Sequence, residues 1–174
     1  MRIRHLENDT IINVSQLLKA PVGTERYFTV HLDRLVLDSD LEARDLTASV
    51  RLLRTSNGIL ATGQLHVTAH QTCVRCLTEF DGRYSETFEA EFWPTVDILT
   101  GLPLPPPPDE DIFTIDKNHH LDLQEMLRQY AILAIPLYPV CGPQCPGPES
   151  LWQREEEVID ARLAVLRSLL DERA

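Results

Sequence analysis

Apolar and polar residues alternate along two neighbouring stretches in the first half of the chain. In residues 46–54, one face carries Ala48, Val50 and Leu52. Residues 59–70 repeat the pattern, with one face made of Ala61, Gly63, Leu65, Val67 and Ala69. Successive side chains of a strand point to opposite faces, so both stretches predict strands with one buried face. The Asn57-Gly58 pair between them accepts positive φ and predicts that the two strands form an antiparallel hairpin.

Strand-like patterns recur on either side of this hairpin. Residues 26–32 are rich in β-branched and aromatic side chains. In residues 84–92, alternate positions carry Tyr84, Phe88, Ala90 and Phe92, with Glu86 as the one polar residue on that face. Residues 112–115 form a short strand candidate, whereas the acidic stretch 33–45 is interpreted as a loop. The chain is therefore predicted to be rich in antiparallel sheet.

A different period appears in residues 121–135. The apolar residues follow helical spacing, namely Leu123, Met126, Leu127, Tyr130, Leu133 and Ala134. Asp122 is a candidate N-cap, Glu125 lies where a capping-box partner would be, and Pro136 ends the helix. Near the N-terminus, a short helical turn carries Leu17 and Leu18, with Asn13 or Ser15 as its cap.

The C-terminal residues 151–172 predict a further helix. Its apolar stripe consists of Ile159, Leu163, Leu166 and Leu170. We expect this helix to dock on the core, and the alternative is a helix that binds a partner or a second copy. The proline-rich stretch 102–111 predicts a loop, because consecutive prolines fit neither a ladder nor a helix interior.

These elements predict one α+β domain that spans residues 1–174. We expect a mostly antiparallel sheet or partial barrel with two packed helices, in which four cysteines clip distant segments together. The 174 residues suffice for one substantial core.

Charge and hydropathy narrow the class of protein. The formal net charge of −11 argues against a general nucleic-acid binder, which needs a basic surface, and suits a basic partner. No apolar run approaches the roughly 20 residues that span a bilayer. Residues 1–9 lack the apolar region of a secretory signal, so we expect a cytoplasmic protein.

The four cysteines fall into two pairs, Cys73-x2-Cys76 and Cys141-x3-Cys145. The first pair lies in the predicted connection between two strands, and Gly142-Pro143 gives the second pair a turn. Four thiolates that met in space would form a closed tetrahedral shell suited to structural Zn²⁺. Two further interpretations stay open: a redox C-x-x-C, which an antiparallel hairpin disfavours, and four small residues with no ligand.

No motif of a known catalytic class is found in the sequence. A nucleophile elbow, a P-loop, a dinucleotide fingerprint and an H-E-x-x-H motif are all missing. His119-His120 is interpreted as part of a solvated loop, and His66 and His70 fall on the polar face of a strand. The sequence therefore favours a protein that is not an enzyme.

With these residues identified, the chain resembles the YceD-like family, which is named for accumulation of large-subunit ribosomal RNA. Three stretches carry the resemblance: residues 14–26, the hairpin leading into Cys73-Val-Arg-Cys76, and Ala134-Ile-Pro-Leu-Tyr-Pro-Val-Cys141 with Cys145 and residues 160–163. Family members often carry further cysteines after the second pair, whereas Pro148-Glu149 follows Gly147 here. This chain thus has no spare ligand.

The resemblance implies a non-enzymatic factor that supports accumulation or maturation of large-subunit ribosomal RNA. The expected partner is a ribosomal protein or a pre-ribosomal particle, with RNA contact local or indirect. Two alternatives remain: an RNA-processing nuclease, and a zinc-dependent interaction module unrelated to ribosomes. The expected metal ligands are Cys73, Cys76, Cys141 and Cys145.

Overall fold

The computed structural model describes residues 3–39, 41–109 and 111–148. In chain order its elements are β1 (Ile3–Glu7), β2 (Ile11–Asn13), α1 (Ser15–Leu18), β3 (Glu25–Asp38), β4 (Leu41–Arg54), β5 (Ile59–Thr72), β6 (Glu79–Pro94), β7 (Phe113–Ile115), β8 (His120–Asp122) and α2 (Gln124–Ala134). The predicted C-terminal helix, residues 151–172, lies outside the described residues.

The main sheet has six strands in the order β1-β3-β4-β5-β6-β7. Its centre is an antiparallel meander of four long strands, and both outer pairs, β1 with β3 and β6 with β7, are parallel. The prediction of a mostly antiparallel sheet is confirmed. Within the described chain the sheet is mixed and open, with β1 and β7 at its edges, so it is not a closed barrel.

The hairpin of β4 and β5 is confirmed, but its turn differs from the predicted one. Arg54 pairs with Ile59, so the loop has four residues, and neither Asn57 nor Gly58 has a positive φ. The Thr55 amide donates to the Gly58 carbonyl at 3.0 Å, and the Gly58 amide donates to Thr55 Oγ1 at 3.1 Å. A Cβ at Gly58 would lie 2.1 Å from the Phe92 carbonyl oxygen. Glycine is needed there because β6 approaches so closely.

The interpretation of residues 33–45 as an acidic loop is wrong. β3 continues to Asp38 and β4 begins at Leu41, so only two residues separate the strands. Leu35, Leu37 and Ala43 are buried, and their burial supports strand structure despite the charged residues beside them. The alternation slips by one residue near Asp45, which has φ 54° and lies at a β-bulge against β5. The buried positions of β3 also slip, from Leu32 to Leu35, so a break in the period on each strand hides residues 33–45 from a pattern search.

The core lies between one face of the main sheet and α2. The residues that the alternation assigned to this face are buried, including Ala48, Val50, Leu52, Ala61, Leu65, Val67, Ala69, Phe88 and Phe92. The helix contributes Met126, Leu127 and Ala131. Leu133 was predicted on the apolar face, but 70% of its surface is exposed.

The second helix was predicted to begin too early. Leu121 belongs to β8, and α2 starts at Gln124 without a side-chain cap on Leu123. Asp122 accepts hydrogen bonds from the Gln124 amide at 2.9 Å and from Thr10 Oγ1 at 2.7 Å, so it ties the helix start to the N-terminal segment. The capping box does not form, because Glu125 pairs with Arg128 instead.

A two-stranded sheet of β2 and β8 holds the N-terminal segment against the rest of the chain. The Val14 amide donates to the His119 carbonyl at 2.9 Å, and α1 follows with Leu17 and Leu18 buried, as predicted. His119-His120 is not a purely solvated loop: His119 has φ 60° in the turn before β8, and His120 belongs to that strand.

Residues 95–112 connect β6 to β7 without a regular helix or strand in their described part, as the proline content predicts. An isolated bridge between Val96 and Pro103 folds this loop back on itself. None of the helices that the structure describes is both long enough and apolar enough to pass through a bilayer.

Candidate metal centre

The first cysteine pair lies in the turn that joins β5 to β6. The Cys73 amide donates to the Thr78 carbonyl at 2.9 Å, and the Leu77 amide donates to the Cys73 carbonyl at 2.9 Å. Leu77 has φ 58°, which tightens the turn immediately after Cys76. Both cysteines are buried, so the turn points two sulfur atoms inward.

The second pair lies on the segment that follows α2. The helix ends before Pro136, and the chain then runs past the first turn, where the Val74 amide donates to the Pro139 carbonyl at 3.0 Å. Gly142 has φ 136°, and the Cys145 amide donates to the Gly142 carbonyl at 3.1 Å. These contacts bring Cys141 and Cys145 over the first pair.

All four sulfur atoms converge, as the sequence predicted they could. They lie within 4.8 Å of one another, with 3.7 Å between Cys73 Sγ and Cys145 Sγ and 3.7 Å between Cys76 Sγ and Cys141 Sγ. Within the described residues, no other group of three or more His, Cys, Asp or Glu side chains converges in this way. We call these four residues the cysteine clip.

The spacing of the sulfur atoms fits a metal ion. A tetrahedron with zinc–sulfur distances of about 2.3 Å has sulfur–sulfur edges of about 3.8 Å. The two closest sulfur–sulfur distances match that edge, and each joins one cysteine of the first pair to one of the second. Four thiolates leave no open coordination position for a substrate, so such a site would be structural.

The other two interpretations fit this geometry less well. A disulfide needs sulfur atoms about 2.05 Å apart, and all four cysteines are free thiols here. A redox C-x-x-C usually opens a helix whose N-terminus stabilises the thiolate, whereas residues 74–78 form a turn that leads into β6. Each short contact also crosses between the two pairs.

Three of the thiols, Cys73, Cys76 and Cys141, have pKa values displaced from that of a free cysteine. Burial opposes ionisation of Cys73, but backbone amides of Cys76, Cys141 and Arg75 lower its pKa to about 6. Hydrogen bonds from the Thr78 side chain and backbone lower the pKa of Cys76. Burial and the neighbouring cysteines raise the pKa of Cys141 to about 12. Four adjacent thiolates repel one another, so full ionisation requires a cation among them.

Apolar side chains surround the clip on the protein surface. Leu137 is 90% exposed and Tyr138 is 77% exposed, on the segment that approaches Cys141. Val74 and Leu77, from the first turn, are also exposed. The hydrogen bond between Val74 and Pro139 places these two segments side by side. We call Val74, Leu77, Leu137 and Tyr138 the apolar rim; sequence patterns miss it because turns have no period.

Two histidines that the sequence placed on the polar face of a strand, His66 and His70, lie on the protein surface. His66 is exposed on β5, and His70 pairs on the surface with Asp81 at 2.9 Å and Glu79 at 3.6 Å. A cleft of about 300 Å³ lies at the opposite end of β5 from the clip and is lined by Leu18, Arg54, Trp93, Asp97 and other residues. The Arg54 guanidinium there donates to the carbonyls of Leu18, Thr55 and Gly58, which gives it a structural role.

Comparison with known families gives one match that covers most of the chain. The profile of the family described as large ribosomal RNA subunit accumulation protein YceD matches residues 61–170. The matched range includes β5, β6, α2 and all four cysteines. It excludes residues 14–26, although these carried much of the resemblance seen in the sequence.

Individual relatives add no described activity. Uncharacterized proteins of Mycobacterium tuberculosis and Mycobacterium bovis are each 26% identical over 151 residues, which is 83% of this chain and 69% of theirs. No solved structure matches the chain.

Proposed function

Since the chain belongs to the YceD family of large ribosomal RNA subunit accumulation proteins, we propose that it is a non-enzymatic cytoplasmic factor that supports accumulation of large-subunit ribosomal RNA. The family match is the observation that carries this proposal. The cysteine clip fits a structural role, because four thiolates around one ion leave no open coordination position for a substrate.

The cysteine clip is proposed to hold one structural Zn²⁺ through Cys73, Cys76, Cys141 and Cys145. The ion would join the β5–β6 turn to the segment after α2, which otherwise meet through few backbone hydrogen bonds. Elemental analysis of protein purified without chelator should find about one zinc per chain. Less than about one metal per several chains would contradict this assignment.

The proposed partner is a basic ribosomal protein, alone or within a pre-ribosomal particle. The net charge of −11 favours contact with a basic protein over direct contact with the RNA backbone. The apolar rim supports a protein partner, since exposed apolar groups that include an aromatic side chain are typical of protein interfaces.

The decisive experiment measures ribosomal RNA in a strain that lacks this protein. The ratio of large-subunit to small-subunit ribosomal RNA should fall, and the intact gene should restore it. A normal ratio at several growth temperatures would overturn the proposed function and favour a zinc-dependent interaction module unrelated to ribosomes.

Recovery of partners from lysate distinguishes protein contact from RNA contact. Ribosomal proteins should remain bound to the tagged protein after nuclease treatment. If every ribosomal partner is lost with the nuclease, the contact runs through RNA. The nuclease alternative has little support, because His66 and His70 lie exposed on one strand and meet no buried carboxylate pair.

A further inference from the structure

The outer edge of β6 is only partly paired in the described chain. On one side β6 pairs with β5 from Glu79 to Phe92 without a register shift. On the other side β7 covers only Phe92, Trp93 and Pro94. The remaining edge points away from β5.

Two contacts show which backbone groups face outward. The Glu89 amide and carbonyl both bond the hydroxyl of Tyr130, at 3.4 and 2.6 Å, and the Thr95 amide donates to the Ile115 carbonyl of β7. Because the pairing with β5 is uninterrupted, every second residue back from Glu89 also directs its amide and carbonyl outward. These residues are Thr87, Ser85, Arg83, Asp81 and Glu79.

One end of this edge is closed by side chains. Tyr130 occupies the position that a neighbouring strand would take at Glu89, and the Glu86 carboxylate accepts from the Thr87 amide at 3.0 Å. Residues 79–85 carry no comparable cover. Among the described residues, no hydrogen bond joins their outward amides or carbonyls to another element. These uncovered residues, 79–85, follow directly after the β5–β6 turn, which carries Cys73 and Cys76 of the cysteine clip.

The charge of β6 determines which kind of strand can pair with its open edge. β6 carries the carboxylates Glu79, Asp81, Glu86, Glu89 and Glu91 and the single cation Arg83. Two copies of β6 would each carry five carboxylates and one cation, and this excess of negative charge on both strands disfavours their pairing. An extended segment rich in Lys or Arg would gain both the backbone hydrogen bonds of an added strand and attraction to the carboxylates.

We infer that the open edge of β6, residues 79–85, binds an extended basic segment of a partner protein by strand addition. This edge would be the binding surface for the basic partner of the proposed function. Only the identity of the partner rests on that proposed function. Its physical support is the open backbone edge, the excess of carboxylates and the position beside the clip.

Ser85 offers a matched pair of variants that test the backbone edge. Ser85→Pro removes one outward amide and blocks an incoming strand, yet it leaves the hydrogen bonds to β5 in place because proline is tolerated at such edge positions. Ser85→Ala changes the same side chain and keeps the amide. The probe is a ten-residue peptide of alternating lysine and valine, with a glutamate–valine peptide and a uridine oligonucleotide for comparison.

The full-length protein should bind the lysine–valine peptide and neither of the comparison probes. Ser85→Pro should weaken that binding at least about tenfold, whereas Ser85→Ala should stay within about twofold. Glu79→Lys should also weaken it, and Glu7→Lys on the distant edge strand should not. Equal binding by the Ser85→Pro and Ser85→Ala proteins, or preference for the oligonucleotide, would overturn the inference.

Amide hydrogen exchange locates the bound peptide. In the free protein the Asp81 and Arg83 amides should exchange rapidly, and the peptide should slow both. Slow exchange at these amides in the free protein would mean that the edge is already covered, which also overturns the inference. A normal ribosomal RNA ratio in the deletion strain together with peptide binding at this edge would reject only the ribosomal role.

Discussion

The sheet and the cysteine clip hold the chain together in different ways. The sheet buries apolar side chains from neighbouring strands against α2, and its residues pair with others nearby in the sequence. The clip joins residues 65 and 72 positions apart, and the side chains around it, such as Leu137 and Tyr138, are exposed. One region is stabilised by apolar burial, and the other would be stabilised by the proposed metal ion between four sulfur atoms.

The two regions should therefore respond differently when the metal is removed. Removing apolar volume from the sheet should destabilise the protein with or without metal. Removing the sulfur atom of Cys141 should matter only while the metal is bound, because this residue, unlike Cys73 and Cys76, is not part of the buried core. The predictions below test this separation.

The largest effect is expected from Phe92→Ala. Phe92 is fully buried and stacks on Phe113 with ring centroids 5.2 Å apart, so its truncation leaves a cavity in the sheet core. The free energy of unfolding, measured in urea, should fall by about 3–5 kcal/mol. Leu137→Ala is the control, since an exposed side chain should change stability by less than about 0.5 kcal/mol. A chelator should leave the difference between the Phe92→Ala and parent proteins unchanged.

The next effect is expected from Cys141→Ser. The hydroxyl is a poor zinc ligand, so the ion would be held by three sulfur atoms and the tie between the two segments would weaken. The midpoint of thermal unfolding should fall by about 5 °C in zinc-loaded protein. Gln144→Ser, within the same exposed turn, should leave the midpoint unchanged.

A further measurement tests whether Cys141 acts through the metal or through packing. In excess chelator, the Cys141→Ser and parent proteins should unfold at the same temperature. A difference that persists without metal would show that Cys141 acts through packing, and the proposed metal tie would then be rejected.

Residues 46–54 of β4 and residues 59–70 of β5 could be predicted from the sequence because they alternate without interruption. Leu65, Val67 and Ala69 fall on the predicted face and are buried. Residues 33–45 could not be recognised as strand, because the period breaks after Leu32 in β3 and at the bulge near Asp45 in β4. The parallel pairing of β1 with β3 leaves no local signal either, since it joins segments about 24 positions apart in register.

The candidate site, too, could be predicted only in part from the sequence. Cysteine spacing identified four residues whose sulfur atoms converge, although it could not show which sulfur atoms lie closest. The apolar rim and the open edge of β6 were not foreseen. The rim lies in aperiodic turns, and the open edge depends on how far β7 and Tyr130 extend along β6, which is a property of the assembled fold.

A smaller effect is expected from Arg54→Ala at the other end of β5. The Arg54 guanidinium donates to the Leu18 carbonyl at 3.1 Å and the Gly58 carbonyl at 3.0 Å, so it joins α1 to the β4–β5 turn. Its loss should lower the free energy of unfolding by about 1–2 kcal/mol. Arg26→Ala, on an exposed position of β3, is the control. An equal loss in both variants would indicate a general charge effect, and neither variant should change zinc content.

The smallest effect is expected from Glu125→Gln, and its pH dependence separates α2 from the clip. Hydrogen bonds from Arg128 and Gln129 lower the pKa of Glu125 to about 2, whereas an unfolded glutamate titrates near about 4.3. The ionised Glu125 therefore stabilises the folded state fully above the unfolded pKa. This stabilisation is lost as the pH falls towards the folded pKa of about 2. Because the pair is half-exposed, the substitution should cost less than about 1 kcal/mol at pH 7.

Urea unfolding of both proteins in chelator, which removes the clip's contribution, should show the difference in unfolding free energy shrinking between about pH 5 and pH 2. A difference that stays constant over this range would mean that Glu125 supports α2 through its shape and not through its charge.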